Sequence, residues 1–278
     1  MTAGLVIVRG AGDLATGTIV RLANCGLHVA VTECAQPSAI RRRAALSEAV
    51  YEGTVTVEGV TCRRVDGMDS LTDAWQAGQV PLFVDEAGDS IRALHPAVVV
   101  DAILAKRNLG TRRDMAPITV ALGPGFAAGR DVDAVIETMR GHNLGRIFYR
   151  GAALPNTGVP GNIGGYTGER VIHAPADGAL TCVQDATGQE IGIGSVVEAG
   201  QVIARVGGTP VYATLTGVLR GLIRPGYPVT EGLKIADIDP RLEQQNNCDT
   251  ISDKARCIAG GVLEAILHLA RGQEVMLF

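Results

Sequence analysis

Hydrophobic and polar positions at the start of the chain follow a pattern that predicts a strand, a turn, a helix and a second strand. An apolar run begins at Leu5 and glycines follow at positions 10 and 12. A segment with apolar residues at helical spacing then leads to a second apolar run that ends at Glu33. Glycine allows a tight turn and lets backbone N–H groups approach an anion at the positive end of the following helix. Residues 5–33 therefore predict a βαβ unit.

The glycine turn has the spacing of a dinucleotide-binding motif. Gly10, Gly12 and Ala15 satisfy the pattern GxGxxG/A, and Glu33 lies where a carboxylate binds the ribose in Rossmann-like folds. Asp13 either caps the helix or binds a hydroxyl, amine or ring N–H of the ligand. Glu33 either contacts the ligand or is solvated at the strand end. The turn residues that we expect at the ligand are Gly10, Ala11, Gly12, Asp13, Leu14, Ala15 and Thr16.

The following residues alternate between strand and helix patterns, which indicates a mostly parallel sheet covered by helices. Such sheets bind ligands at the carboxyl ends of their strands. Residues 98–101 fit either a strand or the first turn of a helix. A second glycine turn at 123–129 precedes a predicted helix over 131–140. The other predicted elements are helices at 46–51 and 70–77 and strands at 54–57, 60–64, 80–85, 118–122 and 145–150.

Several further residues are candidates for the site. Arg41 and Arg42 follow the second strand, where they either hold a phosphate or begin a solvated helix. His142 is the candidate for proton transfer, and its alternative role is a cation at a helix end. Cys34 is the candidate for sulfur or selenium handling, against a buried apolar role. The second glycine turn is either an ordinary turn or an anion site, and its candidate residues are Gly123, Pro124, Gly125 and Phe126.

The second half of the chain contains an internal repeat. Residues 171–206 and 211–238 share a GxxVxxG pattern and read as two β-rich half-units. Two such copies resemble the flattened barrel of biotinyl and lipoyl carrier domains. Those domains present a lysine on an exposed hairpin, whereas Lys234 lies within a strand-like run. We therefore expect a docking or lid module that carries neither biotin nor lipoate.

Composition and charge exclude several classes of protein. With 278 residues, 46% of them hydrophobic, the chain can bury a large core. The net charge of −4 and the lack of basic runs with interleaved aromatics argue against nucleic acid or an anionic membrane as a partner. Six scattered cysteines and five histidines lack metal-ligand spacing, so we expect no metal site. No stretch predicts a membrane span or a signal peptide, and we expect a cytoplasmic protein.

Five motifs in order resemble a known family over nearly the whole chain. They are RGAGDLATG from position 9, PSAIRRRAALSEAVYEGTVTVEGV from 37, LGPGFAAGRDVDAVIETMRGHNLGRI from 122, APADG from 174 and LKIADIDPR from 233. These motifs resemble the YqeB-type proteins of the selenium-dependent molybdenum hydroxylase system, whose Rossmann-like part is similar to the XdhC accessory factors. The resemblance implies a role in maturing molybdenum hydroxylases such as xanthine dehydrogenase. It also implies the molybdenum cofactor or a dinucleotide as ligand, and a hydroxylase apoenzyme or its maturation machinery as partner.

The predicted architecture is α/β, with a Rossmann-like mostly parallel sheet followed by a β-rich, biotinyl/lipoyl-like barrel-sandwich domain and a C-terminal helix. We predict a nucleotide- or cofactor-binding domain over 1–165, the β domain without a carrier lysine over 166–241, and a helix packing on the core over 242–278. Two other functions fit the sequence: an NAD(P)-dependent oxidoreductase, or a non-catalytic docking scaffold. Whether the protein catalyses a reaction or forms homo-oligomers is left open.

Overall fold

The computed structural model describes residues 4–158 and 161–278, and the chain forms two compact units. The first unit contains Met1–Pro37, Ala45–Thr157 and Ile251–Phe278, and the second contains Ser38–Ala44 and Gly158–Thr250. Besides the predicted β domain over 166–241, the second unit contains residues 38–44, 242–250 and the stretch from 158 to 165. Residues 159–160 of the glycine-rich stretch that we predicted as a boundary lie outside the described residues.

The first unit is built on a nine-stranded sheet. Its strands in spatial order are β3 (Thr54–Val57), β4 (Val60–Val65), β5 (Val80–Val84), β2 (Val29–Glu33), β1 (Val6–Arg9), β6 (Val98–Asp101), β7 (Ile118–Leu122), β8 (Ala134–Ile136) and β9 (Ile147–Phe148). The edge pairs β3–β4 and β8–β9 are antiparallel, and the pairs between them are parallel. Every residue of β1, β6 and β7 is buried, as continuous apolar runs in a parallel sheet require.

Five α-helices accompany this sheet, and glycines set how closely they pack. They are α1 (Asp13–Asn24), α2 (Ala49–Glu52), α3 (Met68–Gln76), α4 (Asp89–Leu94) and α5 (Asp253–Gln273). A β-carbon at Gly17 of α1 would lie 2.9 Å from Cβ of Ala255 in α5, so the two helices approach closely. A β-carbon at Gly261 would overlap the carbonyl oxygen of Gly145 in the loop before β9. Gly17 therefore allows α1 to approach α5 closely, and Gly261 allows α5 to approach the loop at Gly145.

The predicted helix over 131–140 is wrong. This segment forms β8 and a loop, and β8 pairs in parallel with β7. The carboxylate of Asp133 accepts hydrogen bonds from the backbone N–H of Thr119 (2.9 Å) and from its hydroxyl (2.8 Å). Residues 132–136 are all buried, so the apolar run is that of a strand covered on both faces, which short runs do not distinguish from a helix.

The second unit contains two four-stranded antiparallel sheets, and their strand order confirms the repeat. One sheet has the order β10 (Val171–His173), β17 (Lys234–Asp239), β15 (Gly217–Leu222) and β12 (Val196–Val197). The other has the order β14 (Thr209–Tyr212), β13 (Val202–Val206), β11 (Gly178–Cys182) and β16 (Pro228–Val229). Each sheet takes the first and third strands of one copy and the second and fourth of the other.

Short 3₁₀ turns occupy Arg42–Ala44, Leu46–Glu48, Arg113–Met115, Gly168–Arg170 and Leu242–Asn247. Along the described part of the chain, no helix has the length and apolar content that crossing a bilayer demands.

Candidate functional site

The strand order of the first unit reverses between β1 and β6. From β1 the chain passes through α1 to β2 on one side, and β6 pairs with β1 on the other side. In open α/β sheets the crevice at this reversal is the usual ligand site. Gly10 begins the turn after β1 with φ +93°, and a β-carbon there would lie 2.9 Å from the carbonyl oxygen of Ala102. A glycine is therefore required where the two diverging loops touch.

Gly12 is the N-cap of α1, and no side chain caps this helix end. A β-carbon at Gly12 would meet no atom within 4 Å, so the space above the turn is open. Asp13 is the first residue of the helix, not its cap, which removes the simple capping interpretation of this residue. Leu14 and Ala15 face the core of the unit. The helix start thus presents backbone donors toward open space.

The Thr16 side chain stabilises the glycine turn through hydrogen bonds to the backbone. Its buried hydroxyl donates to the carbonyl oxygen of Gly12 (2.9 Å) and accepts from the N–H of Leu46 (2.9 Å). The N–H of Ser47 donates to the carbonyl oxygen of Ala11 (2.9 Å). Thr16 therefore shapes the turn through the protein's own backbone.

Glu33 lies at the end of β2 with both carboxylate oxygens engaged. Oε2 accepts from the N–H of Ala11 and Oε1 from the N–H of Cys34, each at 2.8 Å. A carboxylate has about four lone-pair positions, so each oxygen keeps capacity for a further donor such as a ribose hydroxyl. The carboxylate that we predicted as a ribose ligand is thus oriented by the glycine turn itself.

A buried polar network beneath the reversal was not predicted from the sequence. Arg9, the last residue of β1, donates to the hydroxyl of Thr111, and this hydroxyl donates to Oδ2 of Asp101 at 2.5 Å. Nη1 of Arg9 is 3.9 Å from the same oxygen. Burial raises the pKa of Asp101 despite the opposing hydrogen bond from Thr111 and the charge of Arg9. The sequence feature that could have indicated this network is that two otherwise apolar strands end in Arg9 and Asp101.

The loop after β6 and the second glycine turn meet at the same edge of the sheet. Leu104 and Lys106 adopt left-handed conformations (φ +60° and +62°), which cost energy for residues with side chains. A β-carbon at Gly125 (φ +107°) would lie 2.7 Å from Cα of Arg107. A β-carbon at Gly123 (φ +76°) would lie 2.6 Å from Oγ1 of Thr138. Both glycines are therefore explained by close packing of the protein on itself, while Pro124 is partly exposed and Phe126 is buried in a small apolar cluster.

The remaining candidates have other environments. Arg41 and Arg42 belong to the second unit, where Arg41 donates to the carbonyl oxygen of Thr250 (3.0 Å) and Arg42 to that of Leu222 (2.8 Å). Burial, with help from Glu33, raises the pKa of Cys34 to about 12, so its thiol is protonated at neutral pH. His142 is exposed in the loop before β9, and the helix expected to end there is absent from this described segment.

Metal ligands and a surface depression complete the description of the first unit. The described residues bring together no group of three or more His, Cys, Asp or Glu side chains able to hold a metal ion. An open depression of about 660 Å³ lies beside Ala97 and Pro117, which precede β6 and β7. It is therefore at the amino edge of the sheet, opposite to the reversal crevice.

Fold and crevice together define a Rossmann-like α/β protein with a candidate nucleotide site at the β1/β6 reversal. No family model matches the chain. The "Uncharacterized protein YqeB" of Escherichia coli (strain K12) is 49% identical over 265 residues, which is 95% of this chain and 48% of the relative. The chain is a YqeB-type protein, and it spans about half the length of that relative.

A search of solved structures finds a match to the product-bound structure of the ectoine utilization protein EutE (DoeB) from Ruegeria pomeroyi. The match covers 85% of each chain at 13% identity, with a TM-score of 0.25.

Proposed function

We propose that the first unit binds a nucleotide or a pterin-dinucleotide-type ligand over residues 10–16, with Glu33 on a ribose hydroxyl. One observation carries this proposal: the uncapped start of α1, the open space above Gly12 and the oriented Glu33 carboxylate lie together at the strand-order reversal. Backbone N–H groups of the first helical turn would donate to a phosphate. Hydroxyls of the ligand would donate to the remaining lone pairs of Glu33.

The biological setting of this proposal comes from the family resemblance. It makes the protein an accessory factor in the maturation of selenium-dependent molybdenum hydroxylases, with the molybdenum cofactor or its dinucleotide as ligand. Its partner would be the hydroxylase apoenzyme or its maturation machinery, and an XdhC-like role of the Rossmann-like part belongs to the same proposal. The repeat unit would then act as a barrel-sandwich docking module. Lys234 is exposed at the start of β17, where it pairs with His173 in the sheet, whereas a biotin or lipoyl ligase modifies a lysine at the tip of a protruding hairpin.

The glycine turn can be tested without disturbing the fold. Gly12→Asp adds a side chain into open space, and aspartate is a favourable N-cap, so α1 should persist. Its negative charge would repel a phosphate at the helix start, and we expect binding to weaken about tenfold or more. Gly67→Asp is the matched control, because Gly67 is the uncapped N-cap of α3 and also faces open space.

Calorimetry with purified molybdenum cofactor and with its dinucleotide should show weaker binding for Gly12→Asp alone. Equal affinity in wild type and both variants would remove the glycine turn from the site. NADH and NADPH form the second arm, since the GxGxxA turn and Glu33 also suit a nicotinamide dinucleotide. Micromolar binding of either, without binding of the pterin ligands, would favour an oxidoreductase over a maturation factor.

A further inference from the structure

The second unit contains a group of charged side chains that is separate from the glycine turn. We call it the arginine cluster, and its members are Arg41, Arg170, Arg220, Arg241, Asp237 and Asp239. All six belong to the second unit, and all but Arg241 are buried. Four guanidinium groups thus face two carboxylates within the cluster. Burying a charged group is costly unless it is paired and hydrogen-bonded, so the partners of the buried arginines decide what this cluster can do.

The two carboxylates are already engaged by two of the arginines. Asp237 accepts from Nη2 of Arg170 with both oxygens, at 3.3 and 3.2 Å. Asp239 accepts a two-pronged contact from Arg241, whose Nε and Nη2 each lie 2.9 Å from a different oxygen. The contact from Arg241 is the bidentate geometry that carboxylates favour, whereas Arg170 shares one nitrogen between the two oxygens of Asp237.

Arg220 has weak hydrogen-bond partners. Its Nη1 lies 3.5 Å from Oδ2 of Asp239, at the limit of a hydrogen bond, and its Nε is buried with no hydrogen-bond partner among the described residues. The side chain is only 9% exposed. Burial and the neighbouring charge of Arg41 lower the pKa of Arg220. A buried guanidinium donor without an acceptor is costly, and an anionic oxygen is the acceptor that binds a guanidinium most strongly.

The first copy of the internal repeat has no residue equivalent to Arg220. In the first copy, Leu180 and Thr181 of β11 pair consecutively with Val206 and Arg205 of β13. In the second copy, Leu219 pairs with Ile238 and Gly221 with Asp237, so Arg220 is an extra residue in a β-bulge. Bulges re-aim side chains and are common beside functional sites. The bulge therefore places a charged residue where the equivalent strand has none.

The segment 38–44 covers this bulge. The N–H of Leu222 donates to the carbonyl oxygen of Ile40 (2.9 Å). A β-carbon at Gly221 would lie 2.7 Å from Cγ2 of Ile40, so glycine is needed for this contact. Arg41, the next residue, donates to the carbonyl oxygen of Thr250 within the same unit, and its positive charge acts on Arg220. Solvent reaches the cluster at Arg241, whose side chain is 41% exposed.

We propose that the arginine cluster binds an oxyanion, with Arg220 as its principal ligand and Arg41 contributing charge. The ligand is either a free phosphate-like anion or the phosphate group of a larger molecule, because a guanidinium fork recognises both in the same way. This site lies in the second unit and is independent of the glycine turn.

Equilibrium dialysis with radiolabelled inorganic phosphate tests the proposal at constant ionic strength. Wild type should bind phosphate, and Arg220→Gln should weaken binding about tenfold or more by removing a charged hydrogen bond. Asp239 keeps its contact with Arg241 in this variant, so no buried carboxylate is left alone. Arg205→Gln is the matched control, since Arg205 is exposed on β13 of the same unit, and it should bind like wild type.

A second arm uses AMP as competitor to identify the source of the anion. Displacement of labelled phosphate by AMP shows that a phosphate group on a larger ligand is accepted, and failure to displace it assigns the site to the free anion. Absence of binding of either compound to wild type at about 10 mM, a concentration well above that of a weak specific site, would overturn the proposal. Equal binding by wild type and a folded Arg220→Gln would do the same. If circular dichroism shows that Arg220→Gln is unfolded, Arg220→Lys is tested in its place. The lysine keeps the positive charge but lacks the bidentate donor geometry of the guanidinium group, so it should also bind phosphate more weakly than wild type.

Discussion

Two adjacent glycines of α5 should respond in opposite ways to the same substitution. A β-carbon at Gly260 would meet no atom within 4 Å, whereas one at Gly261 would overlap the carbonyl oxygen of Gly145 and lie 3.2 Å from Cγ2 of Ile136. Alanine is about 1 kcal/mol more favourable than glycine inside a helix. Gly260→Ala should therefore stabilise the first unit by about 1 kcal/mol.

Gly261→Ala gains the same helix propensity but must push α5 away from the backbone at Gly145. Overpacking of this kind costs about 1–3 kcal/mol. Because propensity cancels between the two variants, the difference between their free energies of unfolding isolates the steric cost. We expect Gly261→Ala to be less stable than Gly260→Ala by about 1–3 kcal/mol.

Urea unfolding followed by tryptophan fluorescence measures this difference for the right unit. The chain has one tryptophan, Trp75, which lies in the first unit and donates from its indole nitrogen to the carbonyl oxygen of Val29 (3.0 Å). Both variants should keep the slope of the wild-type transition, because only the midpoint depends on stability. If Gly261→Ala proves as stable as Gly260→Ala, the close approach of α5 to Gly145 is refuted.

Three further results are expected. Cys34 should react slowly with iodoacetamide at pH 8, because burial and Glu33 raise its thiol pKa to about 12. Glu33→Gln should speed the alkylation of Cys34, and peptide mass spectrometry measures both rates. Burial alone would raise the pKa of Asp85, but hydrogen bonds from Ser90, Asp89 and Gly88 lower it overall. The ionised Asp85 carboxylate therefore stabilises the folded chain above about pH 4, and this stabilisation is lost as the pH falls through the lowered pKa. Asp85→Ala should thus cost about 1 kcal/mol near pH 7, and its denaturation curve should approach that of wild type in acid. Intact-mass measurement of protein made in a host competent for biotinylation and lipoylation should show the unmodified chain, and a matching mass gain on Lys234 would contradict the docking-module interpretation.

The sequence was most informative where the chain makes its first turn. The run from Leu5 to Glu33 correctly predicted β1, α1 and β2, because apolar strands, a glycine turn and a helical repeat each leave a distinct local pattern. The same pattern placed Gly10, Gly12 and Glu33 at one edge of the sheet. It could not show that Glu33 accepts a hydrogen bond from Ala11, since this contact depends on how β2 lies beside β1.

Prediction failed where local pattern and long-range pairing disagree. Residues 131–140 have apolar positions compatible with a helix, yet Asp133 joins its segment to Thr119 and the chain becomes a strand. Arg41 and Arg42 follow β2 in sequence, which suggested either a phosphate contact or a solvated helix start, and sequence position could not show that both belong to the second unit. Arg220 gave no local signal, because a β-bulge is defined by the register of the partner strand.

Carboxylates at the carboxyl ends of β2, β5 and β8 order the loops at this edge of the first unit's sheet. Glu33 accepts from the N–H of Ala11, Asp85 from those of Gly88 and Ser90, and Glu137, directly after β8, from those of Met139 and Leu154. Each acid ends or follows a strand and fastens loop backbone, so the loops at this edge are ordered by the protein itself. A ligand that meets ordered loops loses less conformational entropy on binding. Substitution of these acids would therefore weaken binding through loss of loop order even where the side chain never touches the ligand.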